Sequence, residues 1–152
     1  MLALLTAASA AASAAEAGTD IESLPAQAVQ RLITHAMRLL RSPEQEASTY
    51  GATVLALASR YEPGLAHCTT ALVAHPSDEV RSIAAAMAVL DEITQHILVA
   101  DSSPQVRARL AGRTRELADD VLATLRADEH VDVRRALASA AKTDDGKSTK
   151  PA

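Results

Sequence analysis

The chain has 152 residues, of which 48% are hydrophobic and 22% are charged, and its net charge is −4. These proportions are typical of a folding chain rather than a disordered one, and they give no general attraction for polyanions. One cysteine excludes an intrachain disulfide scaffold, and five glycines with six prolines are too few for the frequent turns of an all-β domain.

Aromatic residues are nearly absent, since the chain has two Tyr, no Phe and no Trp. A core of Ala, Leu, Val and Ile has little volume per residue, so its helices must approach one another closely to bury enough surface. No stretch reaches the roughly 18 consecutive apolar residues of a membrane span. Together with the single cysteine, this predicts a cytoplasmic protein that does not engage a membrane.

The N-terminal segment, residues 1–18, is rich in Ala and ends at Gly18. Its small residues could satisfy a signal peptidase, but no Lys or Arg precedes the apolar stretch, as a secretory signal requires. The composition therefore favours an Ala-rich helix, stacked on the rest of the chain or frayed from it, over a cleaved signal at residues 1–15.

Helical spacing of the apolar residues begins at Pro25, which suits a first helical turn. The next helix is predicted to start with Ser42 as N-cap, Pro43 at the first helical position and Gln45 closing a capping box. A third helix is predicted from Leu65 to Leu72. The joints between these stretches are short, which indicates antiparallel neighbouring helices.

Three later segments share one frame, in which a Leu precedes a Val by eight positions and an Arg follows the Val. The three valines, Val80, Val106 and Val133, are 26 and 27 positions apart. A period in the twenties to forties is typical of stacked supersecondary units, and about 26 residues can hold two helices and their turns.

This frame resembles that of HEAT-like repeats, including the short forms common in bacterial chains, and it covers residues 72–141. Residues 25–74 are similar through helix pairing alone. The resemblance implies an all-α fold, an α-α superhelix of stacked antiparallel helix pairs over residues 19–142. Residues 143–152 are polar and are predicted to form a flexible tail. Tetratricopeptide and ankyrin repeats match less well in period and in signature residues.

In HEAT repeats, an Asp and an Arg six residues apart form a ladder between neighbouring units. Asp101 and Arg107 have this separation, as do Asp128 and Arg134. The unit that contains Arg81 departs from the pattern, because His75 stands in its Asp place. Exposed ion pairs contribute only about 0.2–1 kcal/mol, so we expect the ladder to fix register more than to supply stability.

No motif in the chain points to catalysis, a cofactor or a metal: GxSxG, a glycine-rich phosphate loop, CxxC and HExxH are all absent. His67 and Cys68 are adjacent, and adjacent side chains on a helix diverge by about 100°, which disfavours a shared ion. Neighbouring carboxylates such as Asp119 and Asp120 diverge in the same way. We therefore predict a non-enzymatic protein.

The second helix of each unit carries acidic and polar residues, and the resemblance implies that this helix lines a concave surface. An acidic, aromatic-poor groove suits a basic or polar protein segment better than nucleic acid. We predict an adaptor or scaffold that binds a protein partner or self-associates; the alternative is that these charges serve only solubility. The candidate partner-binding residues are Asp91, Glu92, Gln95, His96, Glu116, Asp119 and Asp120.

A second hypothesis is a DNA-binding domain similar to the HEAT-like alkylpurine glycosylases. Its cations would be Arg107, Arg109, Arg113, Arg134 and Arg135. The negative net charge and the lack of Trp and Phe for base stacking argue against nucleic acid as the partner.

Overall fold

The computed structural model describes residues 26–60 and 65–145. Every regular element in these ranges is helical, so the all-α prediction is confirmed for them. None of these helices combines the length and the hydrophobicity that crossing a membrane requires. The predictions made for the N-terminal segment, and for residues 146–152 of the polar tail, fall outside the described residues.

Eight α-helices follow one another in the described part of the chain. They are α1 (Ala26–Leu40), α2 (Gln45–Ala58), α3 (Ala66–Val73), α4 (Asp78–Met87), α5 (Glu92–Val99), α6 (Pro104–Ala111), α7 (Asp119–Arg126) and α8 (Val131–Asp145). A short 3-10 helix (Thr114–Glu116) lies between α6 and α7. Helix α8 continues to Asp145, so it extends into the segment predicted as a tail from residue 143.

The predicted start of the second helix was wrong by two positions. Helix α2 begins at Gln45, and Glu44 rather than Ser42 occupies the N-cap position. The Ser42 hydroxyl accepts the Glu44 N–H at 3.2 Å, which closes a small turn around Pro43 before the helix begins. The Gln45 side chain donates to the Glu79 carboxylate on α4 instead of closing a capping box.

The main helix contacts join helices that are adjacent in the chain or two apart, although the pairs α4–α5 and α1–α3 are not among them. Helices α2, α4, α6 and α8 thereby form one continuous series, and α3, α5 and α7 form a second. Contacts along the first series are more extensive than contacts along the second. The first series contains the three helices that carry the Val-Arg frame.

The repeated frame supplies the centre of the core. Val80, Val106 and Val133 are all fully buried, on α4, α6 and α8 respectively. The leucines eight positions before them, Leu72, Leu98 and Leu125, are fully buried as well. All six belong to one continuous apolar cluster, so equivalent frame positions have equivalent environments.

Helices α1 and α2 approach each other closely at Gly51. A Cβ atom added there would lie 2.6 Å from the Ala36 carbonyl oxygen and 2.7 Å from the Leu40 nitrogen, both backbone atoms of α1. Only a residue without a side chain fits this contact. It is the close helix approach expected of a core that has little side-chain volume.

Candidate functional site

Two arginine-aspartate pairs join successive units at equivalent positions. Arg81 on α4 contacts Asp101 with Nε to Oδ2 at 2.6 Å and Nη2 to Oδ1 at 3.0 Å. Arg107 on α6 contacts Asp128 in the same way, at 2.6 and 3.1 Å. We call each pair a rung. Both rungs are bidentate, the geometry in which a guanidinium and a carboxylate match best.

Each rung is also bonded to the backbone on both sides. The Arg107 Nη1 group donates to the carbonyl of Asp101, six residues earlier, at 2.7 Å. The carboxylates accept backbone N–H groups two residues later, Asp101 from Ser103 and Asp128 from His130, both at 2.8 Å. One rung therefore connects a helix, the loop before it and the corresponding loop of the next unit.

The rungs are largely shielded from water, whereas the sequence predicted exposed ion pairs. The arginine side chains are 15% exposed, and the side chains of Asp101 and Asp128 are 7% and 8% exposed. Burial alone would raise the pKa of Asp101, but hydrogen bonds from Arg81 and Ser103 outweigh it and lower that pKa. The hydrogen bond from Arg107 lowers the pKa of Asp128. Loss of one partner would therefore leave a shielded charge without its counter-charge.

The joint between the first and second units contains no rung, because His75 stands in the Asp place. Its Nδ1 lies 3.2 Å from the Ser77 N–H, and its Nε2 lies 3.1 Å from the Leu40 carbonyl. These two contacts assign the proton to Nε2 and leave Nδ1 as the acceptor. The arginine place in α2 is taken by Ser48, so both partners of the rung are replaced together.

Arg134 on α8 occupies the rung position of the last described unit. Its Nη1 donates to the Asp128 carbonyl at 2.6 Å, as the equivalent arginines do in their own loops. No carboxylate in the described residues contacts its remaining nitrogens, and the residue is exposed.

Four of the predicted partner-binding residues form what we call the acidic face: Asp91, Glu92, Asp119 and Asp120. All four are exposed and lie at or next to the N-terminal ends of α5 and α7. The Asp91 carboxylate caps α5 by accepting the Thr94 N–H at 2.8 Å, and its hydrogen bonds to Thr94 lower the pKa of Asp91. Carboxylates at these positions also interact favourably with the helix dipole, which is a structural reason for acidic residues there.

His96 links α5 to the acidic face. Its Nε2 lies 2.8 Å from Asp120 Oδ2, and its Nδ1 lies 2.7 Å from the Glu92 carbonyl. The Glu92 carbonyl and then Asp120 raise the pKa of His96, and the hydrogen bond with His96 lowers the pKa of Asp120. Both side chains are largely exposed.

Gln95 does not belong to this surface. It is buried, with 6% of its area exposed. Its amide nitrogen donates to the carbonyls of Leu90 and Glu116, and its amide oxygen accepts the Ala118 N–H at 2.9 Å. Gln95 therefore connects α5 to the loop before α7. The Glu116 side chain remains exposed and pairs with Arg113.

An exposed apolar stripe that the sequence did not predict lies beside the acidic face. Ile93 and Ile97, one turn apart on α5, are 74% and 47% exposed, and Val89 in the preceding loop is 54% exposed. Helix α5 has apolar residues on both of its sides, because Leu98 faces the core while the two isoleucines face outward. A helix that buries only one side needs a single apolar stripe, so the additional apolar residues of α5 were the sequence signal for this exposed surface.

The residues considered for catalysis or metal binding, Cys68 and His67, occupy structural positions. Cys68 is buried, and burial raises the pKa of its thiol, so the nucleophilic thiolate is disfavoured. Its Sγ lies 3.4 Å from the Nε2 of His67. Among the described residues, no three His, Cys, Asp or Glu side chains converge as a metal site would need.

The five arginines considered for DNA binding are not one surface. Arg107 belongs to a rung, and Arg113 is largely buried, with its Nη1 donating to the Ala88 carbonyl at 2.6 Å. Arg135 pairs with Asp132 at 2.8 Å. The exposed residues that remain are Arg109 and Arg134.

No protein-family model matches the chain, and searches of the curated proteins and of the solved structures return no match.

Proposed function

We propose that this chain is a non-enzymatic protein-protein interaction module, a HEAT-like solenoid that acts as an adaptor or scaffold. The observation that carries the proposal is the rung, a bidentate pair that recurs with the same atoms between successive units. Repetition of one joint supports a stack of equivalent helix pairs rather than a closed globule, in which each contact differs.

The contact pattern supports the same interpretation. In a stacked array each helix touches its pair mate and its counterparts in the adjoining units, and the two series of helix contacts have this form, although α1 lies outside the second series. The series with the more extensive contacts is α2, α4, α6 and α8, and in a curved array the denser layer lies on the inner side. The acidic face would then lie on the outer layer, so we base the binding proposal on charge and exposed apolar area rather than on concavity.

The partner we propose is a basic protein segment with one or two apolar side chains. The acidic face supplies negative charge, and Ile93 and Ile97 supply exposed apolar surface directly beside it. A basic amphipathic helix would bury the isoleucines while its cations approach Glu92 and Asp119. Single exposed apolar residues are ordinary, whereas adjoining ones rimmed by polar residues mark interaction sites, and Ile93 and Ile97 lie one turn apart beside the acidic face.

A selection from a displayed peptide library tests this proposal. Peptides selected on the wild-type chain should be enriched in Lys and Arg, and their affinities can be measured by fluorescence anisotropy. The variant Glu92→Lys/Asp119→Lys should weaken their binding at least about tenfold, since each reversal turns attraction into repulsion.

The matched control is Glu46→Lys/Asp132→Lys, which reverses two exposed acidic residues in the first turns of α2 and α8. It has the same change in net charge and similar effects on helix dipoles, so binding should change less than about twofold. Equal losses in both variants, or a selection that enriches no basic peptide, would contradict the proposal. Salt-dependent binding of labelled duplex DNA would favour the second hypothesis instead.

A further inference from the structure

The ladder continues to the last described helix without its acceptor. Arg134 has the same position and the same backbone contact as the rung arginines, but its outward nitrogens meet no carboxylate in the described residues. We propose that the end surface formed by α7 and α8 binds a helical hairpin of a partner protein. That hairpin would place an aspartate, positioned just before a helix, against Arg134.

The apolar residues around Arg134 support this inference. The positions four and five residues after the frame Val are Leu110 and Ala111 in α6, and both are fully buried. Their equivalents in α8, Leu137 and Ala138, are half-buried and exposed. The same sequence positions are therefore covered in one unit and uncovered in the next.

These residues line an open cavity of about 470 Å³ at the end of the array. Its lining includes Leu122, Leu137, Ala138 and Ala141, with Arg126 and Arg134 as its cations. A cavity with an apolar base and cationic side chains favours a helix that has both an apolar face and a carboxylate. The preceding units provide the template, because Asp101 and Asp128 meet Arg81 and Arg107 in this manner.

A second copy of this chain fits the surface less well than such a partner. In a head-to-tail arrangement the first unit would present Ser42 in the Asp place, and a hydroxyl that already accepts the Glu44 N–H cannot form a bidentate pair. In a tail-to-tail arrangement Arg126 and Arg134 would face their own images, and like charges repel. The inference depends on the ladder and not on the acidic face.

The first test uses a synthetic peptide of residues 115–141, which contains α7, the loop with Asp128 and most of α8. The full chain should bind the labelled peptide, as measured by anisotropy. Binding should weaken about tenfold or more with Arg134→Gln in the chain or Asp128→Asn in the peptide, and the two changes together should cost little more than one. Arg109→Gln, an exposed arginine on α6, is the matched control and should leave binding unchanged.

The second test removes the requirement that the peptide fold alone. In an extended chain, a second copy of residues 115–141 follows Ala141, which continues the frame at its period of 27. Arg134→Gln should lower the urea midpoint of the extended chain more than that of the native chain, where it removes only the bond to the Asp128 carbonyl. An equal effect in both chains, or none in the extended chain, would overturn the inference. Sedimentation velocity should find the native chain monomeric; a dimer lost on Arg134→Gln would assign the surface to a second copy and overturn the partner.

Discussion

The first joint of this molecule and its two later joints connect successive units through different interactions. In the later joints a buried guanidinium and carboxylate pair directly, as Arg81 does with Asp101. In the first joint the imidazole of His75 lies 3.1 Å from the Leu40 carbonyl. The Asp place therefore tolerates another residue when the arginine place changes with it, since Ser48 leaves no cation to be balanced.

The first unit also depends on a contact that the later units lack. Gly51 brings the backbone of α2 against the backbone of α1. This contact depends on shape and not on charged groups. The later units are joined by charged rungs. The two regions should therefore respond differently to substitution, to overpacking and to acid.

Breaking a rung should have the largest effect. Arg107→Gln leaves Asp128 shielded without its counter-charge, and we expect a loss of about 3 kcal/mol in the free energy of unfolding. Arg109→Gln, on the same helix but exposed, should change it by less than about 0.5 kcal/mol. Urea unfolding followed by circular dichroism measures both. Equal stabilities would mean that the rung contributes nothing.

Filling the α1–α2 contact should have the next largest effect. Gly51→Ala forces α1 away from α2 and should cost about 2–3 kcal/mol, although alanine favours a helix. Gly112→Ala is the matched control, because a Cβ there lies an ordinary 3.4 Å from its nearest neighbour. We expect Gly112→Ala to be neutral or slightly stabilising in thermal unfolding. Similar losses at both glycines would remove the steric explanation.

Converting the first joint into a rung should have a smaller effect on stability. That effect should depend on whether one or both of the two residues are changed. His75→Asp places a carboxylate near the Leu40 carbonyl and removes a hydrogen bond, so we expect a loss of about 1–2 kcal/mol. Adding Ser48→Arg supplies the missing cation, and the double variant should be more stable than the sum of the single changes predicts. Additive effects, measured as a double-mutant cycle in urea, would show that the two places are not coupled.

Acid should have the smallest effect on stability, and it should act on the joints that contain a rung. The pKa of Asp128 is lowered in the folded chain, so its contribution is present above the unfolded pKa of about 3.9 and is lost as the pH falls through the folded value. Urea midpoints from pH 7 to 2.5 should therefore fall less steeply below pH 4 for Asp128→Asn than for the wild type. His75→Gln, which changes no carboxylate, should leave that slope unaltered.

The sequence was sufficient for the helical class and for the positions of the core. The frame marked Val80, Val106 and Val133 as equivalent, and all three are fully buried. Periodicity can identify such residues because burial depends on spacing along one helix. The partners of the arginines are less local, because Arg81 reaches an aspartate 20 residues ahead rather than the residue six positions before it.

The features that the sequence did not predict depend on approach between helices. Gln95 lies in a polar run of α5, yet its amide turns inward to three backbone groups that only the folded chain brings together. The contact at Gly51 needs the crossing of α1 and α2, which no local pattern encodes. Ile93 and Ile97 have the composition of core residues, and only the packing of the neighbouring helices leaves them exposed.

The direction of the rungs has a consequence for synthesis on the ribosome. Arg81 precedes Asp101 by 20 residues, and Arg107 precedes Asp128 by 21, so each arginine emerges before the carboxylate that neutralises it. At translation rates of about 5–20 residues per second, each of these two arginines is synthesised roughly one to four seconds before its carboxylate. During synthesis each rung can therefore close only after the next hairpin has emerged, and it closes over a separation of 20 or 21 residues.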